Sequence, residues 1–309
     1  MRLTTEPLER GFQSFRMVSR YNLQSYQVPP DSKNPILKSY CGKLLSEFKR
    51  YKWQSDPCRE LIWSADLMTA HGYPLVYTIF GRGSNRTLIL GGVHADELTP
   101  VHLAFKFAQH LHANPKAYDP DKVQVIIAPL VNPDGFLRRY PTRTNGFVDL
   151  NRNFLTADWY AKSLRYWSQR RKSRRRYFPG YFPNTEIETR FQQDLIKRFK
   201  PQKILSAHAP LGFLDYDGPE KLRAAKAFFD LRVARARARG FVREVSKKTK
   251  NYRIVDYSHY PGSLGNYAGK DQEIPTITLE LETSHPSKVK QYWEKFLPGL
   301  IQSIEYRIN

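Results

Sequence analysis

The chain has 309 residues, 40% of them hydrophobic, which is enough to bury the core of one large domain or two small ones and excludes a disordered protein. Its formal charge of +21 indicates attraction to an anionic polymer, a membrane surface or acidic substrates, although such a charge also serves simple solubility. Cysteine is scarce, with only Cys41 and Cys58, and implies no disulfide framework.

The amino-terminal part of the chain carries no recognisable targeting signal. Residues 1–34 lack the apolar core of a signal peptide, and no stretch has the roughly eighteen apolar residues of a membrane helix. We expect a cytoplasmic protein, or a periplasmic or exported one if a signal has been removed. Residues 1–57 are predicted to form an N-terminal extension that packs on the main domain or forms a lid. Residues 58–309 are predicted to form that main domain.

Strand and helix patterns then alternate along the chain. Leucines at roughly helical spacing predict a helix over residues 36–51 of the extension. Apolar runs predict strands at residues 61–63, 74–80, 87–90, 123–131, 201–207 and 275–282, and helical periodicity predicts helices at residues 98–113, 186–199 and 219–245 and beyond residue 293. This alternation favours an α/β fold, with a mixed, largely parallel central sheet flanked by helices.

Polar residues with metal-binding chemistry follow two of the predicted strands. His94 and Glu97 come after the strand at 87–90, three residues apart, so one turn of chain can direct both at one point. His208 ends the strand at 201–207. Ligands gather at the carboxyl ends of strands in open α/β sheets, and two His with one Glu form a known zinc set with a water in the fourth position. Each piece alone also fits an ordinary polar loop or a structural histidine.

The last predicted strand carries two carboxylates on one face. Glu280 and Glu282 alternate with apolar residues, whereas a central parallel strand is normally apolar on both faces. One of the two can act as a base beside a metal site, or the strand can be an edge strand with a solvated face.

The segment from Arg143 to Phe154 contains many groups that hold anions. Arg143 and Arg152 are always charged, and Asn151 adds an amide donor. Arginine presents a planar fork that suits a carboxylate or an oxyanion. A polar loop stabilised by local side-chain turns is the alternative interpretation.

Two stretches are strongly basic. The run Arg170–Arg176 has six basic residues among its seven, and Arg232, Arg235 and Arg239 share one face of the helix predicted at 219–245. Both surfaces could contact an anionic polymer, and both could equally be solvated faces.

The ordered set HADE, VNPDG, FVDLNRNF, SAH and TLELE resembles the carboxypeptidase A-like zinc peptidases. Within that family the chain is most similar to bacterial murein peptide amidases, which cut γ-D-glutamyl–diaminopimelate bonds. TEIET, SAHAPLGFLDYDG and YPGSLG carry this closer resemblance, which covers the chain from about Tyr73 to the C-terminal helix. It implies a zinc metallopeptidase whose substrate is a murein peptide or peptidoglycan.

The resemblance also implies a role for each motif residue. His94, Glu97 and His208 would bind one zinc ion, and Glu280 would be the general base for a zinc-activated water. Arg143 would stabilise the oxyanion, and Asn151 and Arg152 would hold the substrate carboxylate. Tyr260 is the nearest candidate for the loop tyrosine of the wider family and would bind substrate. Two departures affect the substrate geometry: the spacer after Arg143 is one residue short, and Ala209 follows His208 where a polar residue is usual.

Other functions stay open from the sequence alone. One is a zinc carboxypeptidase that acts on other peptides or on acidic C-terminal tails, and a deacylase of small N-acyl amino acids is a weaker variant. Another, from a different class, is a basic polyanion-binding protein with a vestigial metal site, which predicts steeply salt-dependent binding and no hydrolysis. Nucleic acid is not the expected partner.

Overall fold

The computed structural model describes residues 26–28, 34–139, 144, 147–218, 225–257 and 259–308, with side chains from residue 34 onward except those of residues 225–235. The strands are β1 (Tyr26–Val28), β2 (Trp63–Met68), β3 (Pro74–Phe80), β4 (Asn85–Leu90), β5 (Val123–Ala128), β6 (Lys203–His208), β7 (Phe213–Asp217), β8 (Ile254–Val255) and β9 (Thr276–Glu280). The helices are α1 (Pro35–Arg50), α2 (Leu98–Ala113), α3 (Pro133–Arg138), α4 (Trp159–Arg170), α5 (Ile187–Phe199), α6 (Ala225–Lys248) and α7 (Val289–Glu305).

The strands form one sheet in the order β1-β2-β3-β5-β4-β6-β9-β7-β8. Its four central strands, β5, β4, β6 and β9, are parallel, whereas β1, β2, β3 and β7 join by antiparallel pairing. The predicted mixed sheet flanked by helices is therefore confirmed, with the parallel part at its centre. Among the described residues, no helix is both long enough and apolar enough to span a membrane.

Each face of the sheet is covered by its own apolar core. On one face the residues of α1, α2, α6 and α7 pack together around side chains such as Phe48, Phe107 and Phe296. On the other face α5 packs with the segment around Phe154 and Leu264. The central strands are buried on both faces because helices and ordered segments cover both, which explains their nearly continuous apolar sequences.

The helix of the predicted extension is part of the larger core. Tyr40, Leu44 and Phe48 of α1 are almost completely buried. Cys41 of α1 forms a disulfide with Cys58, so the expectation that the cysteines imply no disulfide was wrong. The two cysteines are 17 positions apart, and the backbone path that returns Cys58 to α1 is set by tertiary packing, which cysteine spacing does not reveal. The division of the chain at residue 57 stays a prediction.

Candidate metal centre and active-site cleft

The three predicted metal ligands converge at one edge of the sheet. His94 and Glu97 lie in the turn between β4 and α2, and His208 is the last residue of β6, which pairs with β4. One potential ligand atom from each lies within 4.8 Å of the others, and all three side chains are buried. Nδ1 of His94 is 2.7 Å from Glu97 Oε1, and Nδ1 of His208 is 3.0 Å from Glu97 Oε2.

The remaining imidazole nitrogens have partners outside the cluster. Nε2 of His94 lies 3.0 Å from Asp149 Oδ1, and Nε2 of His208 lies 3.0 Å from Ser206 Oγ. Such contacts fix the orientation and tautomer of histidines that bind a metal. Asp149 was not among the site residues predicted from the sequence, although its position two residues before Asn151 in the DLNRN segment was a usable signal.

The carboxylate of Glu97 is held in its ionised form. Burial by itself raises the pKa of Glu97, but His94 and His208 outweigh that effect through charge and hydrogen bonding and hold the pKa far below its usual range. The backbone N–H of Ala209 also donates to Glu97 Oε2 at 3.2 Å. Position 209 therefore acts through its backbone, which explains why its side chain can be alanine.

Two imidazoles and one ionised carboxylate, all buried, are a donor set that fits zinc. Nitrogen and oxygen donors of this kind suit zinc better than calcium or magnesium, which prefer oxygen donors alone. Among the described residues, this is the one group of three or more His, Cys, Asp or Glu side chains with the spacing of a metal site.

Glu280 lies beside this cluster, at the carboxyl end of β9. It is opposite His208 in the parallel pairing of β6 and β9, so both side chains are on the same face. Its Oε2 accepts a long 3.4 Å hydrogen bond from Leu211 N–H. Burial raises the pKa of Glu280 to about 7, with Glu97 and Asp215 adding to the increase and His208 opposing it.

The other carboxylate of the TLELE segment has a different environment. Glu282 pairs with Lys295 of α7 and does not line the cleft, so the two glutamates that the sequence left as alternatives are separated by the structure.

Asn151, Arg152 and Tyr260 all line the same cleft, which has a volume of about 330 Å³. Asn151 Oδ1 accepts a 2.8 Å hydrogen bond from Leu264 N–H, which attaches the YPGSLG segment to the DLNRN segment. The Arg152 guanidinium carbon lies 4.5 Å from the centre of the Tyr260 ring. The structure thus brings these three residues together with the metal cluster and Glu280. Arg143 lies outside the described residues, and its oxyanion role stays a prediction.

The basic run Arg170–Arg176 borders the cleft, which its sequence did not indicate. Arg170, Lys172, Arg174 and Arg175 are exposed, whereas Arg171 and Arg176 are partly buried and line the cleft. Arg176 donates to Asp96 at 2.6 Å and is 3.7 Å from Glu97. A hydrophilic run at the end of α4 predicts exposure, and only the tertiary structure shows which side chains turn inward.

A second wall of the cleft is acidic. Asp215 and Asp217 alternate along β7, a strand that the sequence analysis missed, and Nε2 of His259 lies 3.5 Å from Asp217. Burial raises the pKa of Asp215 to about 6, although hydrogen bonds from the backbone N–H groups of Tyr257 and Tyr216 act to lower it. Burial and the neighbouring Asp215 and Asp256 raise the pKa of Asp217 well above its usual value.

The sequence places this chain in a known class of enzyme. A family described as zinc carboxypeptidase matches residues 70–299, well over half of the chain. The protein therefore belongs to the zinc carboxypeptidase family and is a zinc-dependent metallopeptidase. The class prediction is thereby confirmed, and the hypothesis of a polyanion-binding protein with a vestigial site is set aside.

Two relatives in sequence are bacterial murein peptide amidases. Murein peptide amidase A of Vibrio campbellii is 31% identical over 241 residues, which cover 76% of this chain and 84% of that protein. Murein peptide amidase A of Escherichia coli K12 is 31% identical over 147 residues, which cover 47% of this chain and 57% of that protein. The resemblance to murein peptide amidases is confirmed.

Solved structures share the fold. Bovine thrombin-activatable fibrinolysis inhibitor, in complex with tick carboxypeptidase inhibitor, superposes with a TM-score of 0.63 at 17% identity and covers 87% of this chain and 95% of its own. The murein-tripeptide amidase of Escherichia coli O157 superposes with a TM-score of 0.52 at 22% identity, and the alignment covers 78% of this chain and 91% of that chain. At these identities the superpositions concern the fold alone.

Proposed function

We propose that this enzyme hydrolyses an amide bond of cell-wall peptides, the γ-D-glutamyl–diaminopimelate bond, with one zinc ion and Glu280 as the general base. The observation that carries the proposal is the placement of Glu280 beside the His94, Glu97 and His208 cluster, at the carboxyl ends of adjacent strands. The substrate class is supported by the names of the relatives, and by a cleft with basic and acidic walls that suits a zwitterionic diamino acid.

Each residue would have a distinct part in the reaction. Zinc, when bound by His94, Glu97 and His208, supplies a Lewis acid that polarises a carbonyl and makes water more acidic. Glu280 takes the proton of the attacking water and returns it to the leaving amine, a task suited to a carboxylate with a pKa near 7. Asn151 and Arg152 orient the substrate through its carboxylate, and Arg143 is proposed to stabilise the oxyanion.

The first test is hydrolysis of L-Ala-γ-D-Glu-diaminopimelate by the purified protein, followed by mass spectrometry. We expect free diaminopimelate, lost after treatment with a chelator and restored by zinc. Titration of the metal-free protein should give one zinc per chain. Cleavage of ordinary peptides with no release of diaminopimelate would instead favour the carboxypeptidase alternative.

The general-base role has a separate test. Glu280→Gln should keep the zinc stoichiometry but lose turnover by about 100- to 10,000-fold, because the amide cannot accept the proton. Metal content and kcat are measured on the same preparation. An active Glu280→Gln enzyme would remove Glu280 from the mechanism.

We also propose that the protein folds in an oxidising compartment, which favours the periplasmic or exported alternative over the cytoplasm. The disulfide between Cys41 and Cys58 supports this, because disulfides rarely persist in reducing cytosol. Protein isolated without reductant should resist thiol alkylation until it is reduced, as read by mass spectrometry. Complete alkylation before reduction would contradict the proposal.

A further inference from the structure

Arg171 is a half-buried cation of the cleft wall whose charge no carboxylate of the described residues balances. Among the described residues, no carboxylate lies within ion-pair distance of Arg171, and its buried Nε–H has no hydrogen-bond acceptor. Arg176, from the same basic run, is by contrast paired with Asp96 and Glu97. A buried donor without an acceptor carries an energetic cost that a bound anion can remove.

Aromatic rings hold the Arg171 guanidinium in place. Its central carbon lies 4.6 Å from the centre of the Tyr177 ring, 5.1 Å from that of Tyr260 and 5.9 Å from that of Tyr166. Stacking on rings leaves the N–H edges of a guanidinium available, and those edges match the two oxygens of a carboxylate. The arrangement therefore presents a preorganised anion-binding group to the cleft.

Arg171 shares the Tyr260 ring with Arg152, and the two cations line the same cleft. Arg152 also has no carboxylate partner among the described residues, and its Nε–H is likewise buried without an acceptor. Arg152 also donates one Nη1–H to the backbone oxygen of Asn151. Two guanidinium groups beside one ring, neither with a carboxylate partner among the described residues, can hold two anionic groups of one ligand. Asp215 and Asp217 line that cleft too, and their carboxyl oxygens can accept hydrogen bonds from an ammonium group that lies next to a carboxylate in the ligand.

We propose that Arg171 is a specificity-determining residue that binds a second substrate carboxylate, the one at the far end of the leaving diamino acid. This inference rests on the proposed function. In it, Arg152 takes the carboxylate next to the scissile bond, and Arg171 takes the carboxylate that distinguishes diaminopimelate from lysine. The enzyme then selects diaminopimelate because lysine leaves the Arg171 charge unpaired.

The test compares two tripeptides that differ by that one carboxylate, L-Ala-γ-D-Glu-meso-diaminopimelate and L-Ala-γ-D-Glu-L-Lys. The wild-type enzyme should prefer the first tripeptide by about 10- to 100-fold in kcat/KM, because a hydrogen bond to a charged group changes binding by about that factor. Arg171→Gln should lower this preference towards one, mainly through KM for the diaminopimelate peptide, and Arg171→Lys should restore part of it. Arg174→Gln, a change of an exposed arginine in the same run, should leave the preference intact.

A binding measurement separates this inference from the proposed function. Calorimetric titration of zinc-loaded Glu280→Gln protein with both tripeptides should show the same preference, and adding Arg171→Gln should abolish it. Cleavage of both tripeptides by the wild type at equal efficiency would overturn the role of Arg171 but leave the amidase function standing. Equal loss on both substrates in Arg171→Gln would assign the residue a purely structural role. Absence of cleavage and binding for both would overturn the proposed function and this inference together.

Discussion

Asp149 contacts His94 from outside the metal cluster and helps to fix the orientation of its ring. Its Oδ1 lies 3.0 Å from Nε2 of His94 and accepts the backbone N–H of Asn151 at 3.0 Å. Asp149 is almost fully buried, so water does not compete for this contact. The same oxygen thus connects a proposed metal ligand to the segment that carries two proposed substrate-binding residues.

Asp149→Asn should weaken zinc binding by about 10- to 100-fold, because a neutral amide orients and polarises the imidazole less well. Asparagine can still accept the hydrogen bond of the following turn, so we expect the fold to be kept. Zinc affinity is measured by competition with a chelating dye. Glu280→Gln serves as the control, since it also removes a carboxylate of the cleft but should keep wild-type affinity. Equal affinities of Asp149→Asn and wild type would contradict the role.

At the scale of elements, the site depends on the docking of the YPGSLG segment against the DLNRN segment. Gly262 is the closest point of approach: its φ is +76°, and a Cβ there would lie 2.0 Å from the carbonyl oxygen of Arg152. Gly262 N–H donates to Thr156 Oγ1 at 3.0 Å, and Phe154 N–H donates to Gly262 O at 3.0 Å. The backbone of Arg152 is therefore positioned by a glycine more than a hundred residues away in sequence.

Gly262→Ala should destabilise the protein by more than about 1 kcal/mol and raise KM, because the new methyl group displaces the backbone of Arg152. The matched control is Gly42→Ala: Gly42 is exposed in α1, a Cβ there meets nothing within 4 Å, and alanine should stabilise the helix by about 0.5–1 kcal/mol. Both variants are compared by urea denaturation and steady-state kinetics. A Gly262→Ala enzyme with wild-type stability and KM would refute the importance of this contact.

At the scale of the whole molecule, a buried lysine connects the sheet with the last helix. Lys203 of β6 donates to Asn85 Oδ1, and Asn85 Nδ2 donates to the carbonyl oxygens of Ile304 and Glu305, at 3.0 and 3.1 Å, in α7. Burial lowers the pKa of Lys203 from 10.5 to about 7. Between pH 7 and pH 10.5, Lys203 is therefore mostly protonated in the unfolded chain and mostly neutral in the folded chain.

The free energy of unfolding should consequently increase as the pH rises from about 7 to ~9. Lys203 alone should contribute about 2 kcal/mol to that increase. Lys203→Met should remove that part of the increase, and Lys197→Met, a change of an exposed lysine in α5, should not. The free energy of unfolding is measured with urea at both pH values. Parallel pH profiles for wild type and Lys203→Met would show that Lys203 is not responsible.

The net charge of +21 is also a property of the whole molecule. Arg174, Arg175, Arg237 and Arg239 are exposed, while the side chains of Arg232 and Arg235 are not among those described. We expect binding to an anionic wall polymer to weaken steeply with salt, because exposed charges are screened beyond about 10 Å at 0.1 M salt. Arg174→Gln with Arg175→Gln should lower retention on such a polymer at low salt. Retention that is independent of salt would contradict an electrostatic contact.

Much of the architecture was available from the sequence, because local patterns encode it. The apolar runs of β3, β4, β5, β6 and β9 and the spacing in α1, α2, α5 and α7 predicted these elements to within a few residues. Thr185 and Glu188 have the spacing of a capping box at the start of α5, but no such box forms: Thr185 Oγ1 contacts Asn153 and Glu186, and the Glu188 side chain is buried. Here tertiary packing overrode a local signal.

The sequence by itself determined which residues could form the metal site, because histidine and glutamate at the ends of apolar strands gather at one sheet edge. Only the tertiary structure decided what surrounds them. Asp149 meets His94 across 55 positions, β7 brings Asp215 and Asp217 to the cleft, and the end of α4 turns Arg171 and Arg176 inward while their neighbours stay exposed. The local sequence determines whether a segment forms a helix or a strand. Contacts between these elements depend on how their faces pack, and residue spacing along the chain does not reveal that packing.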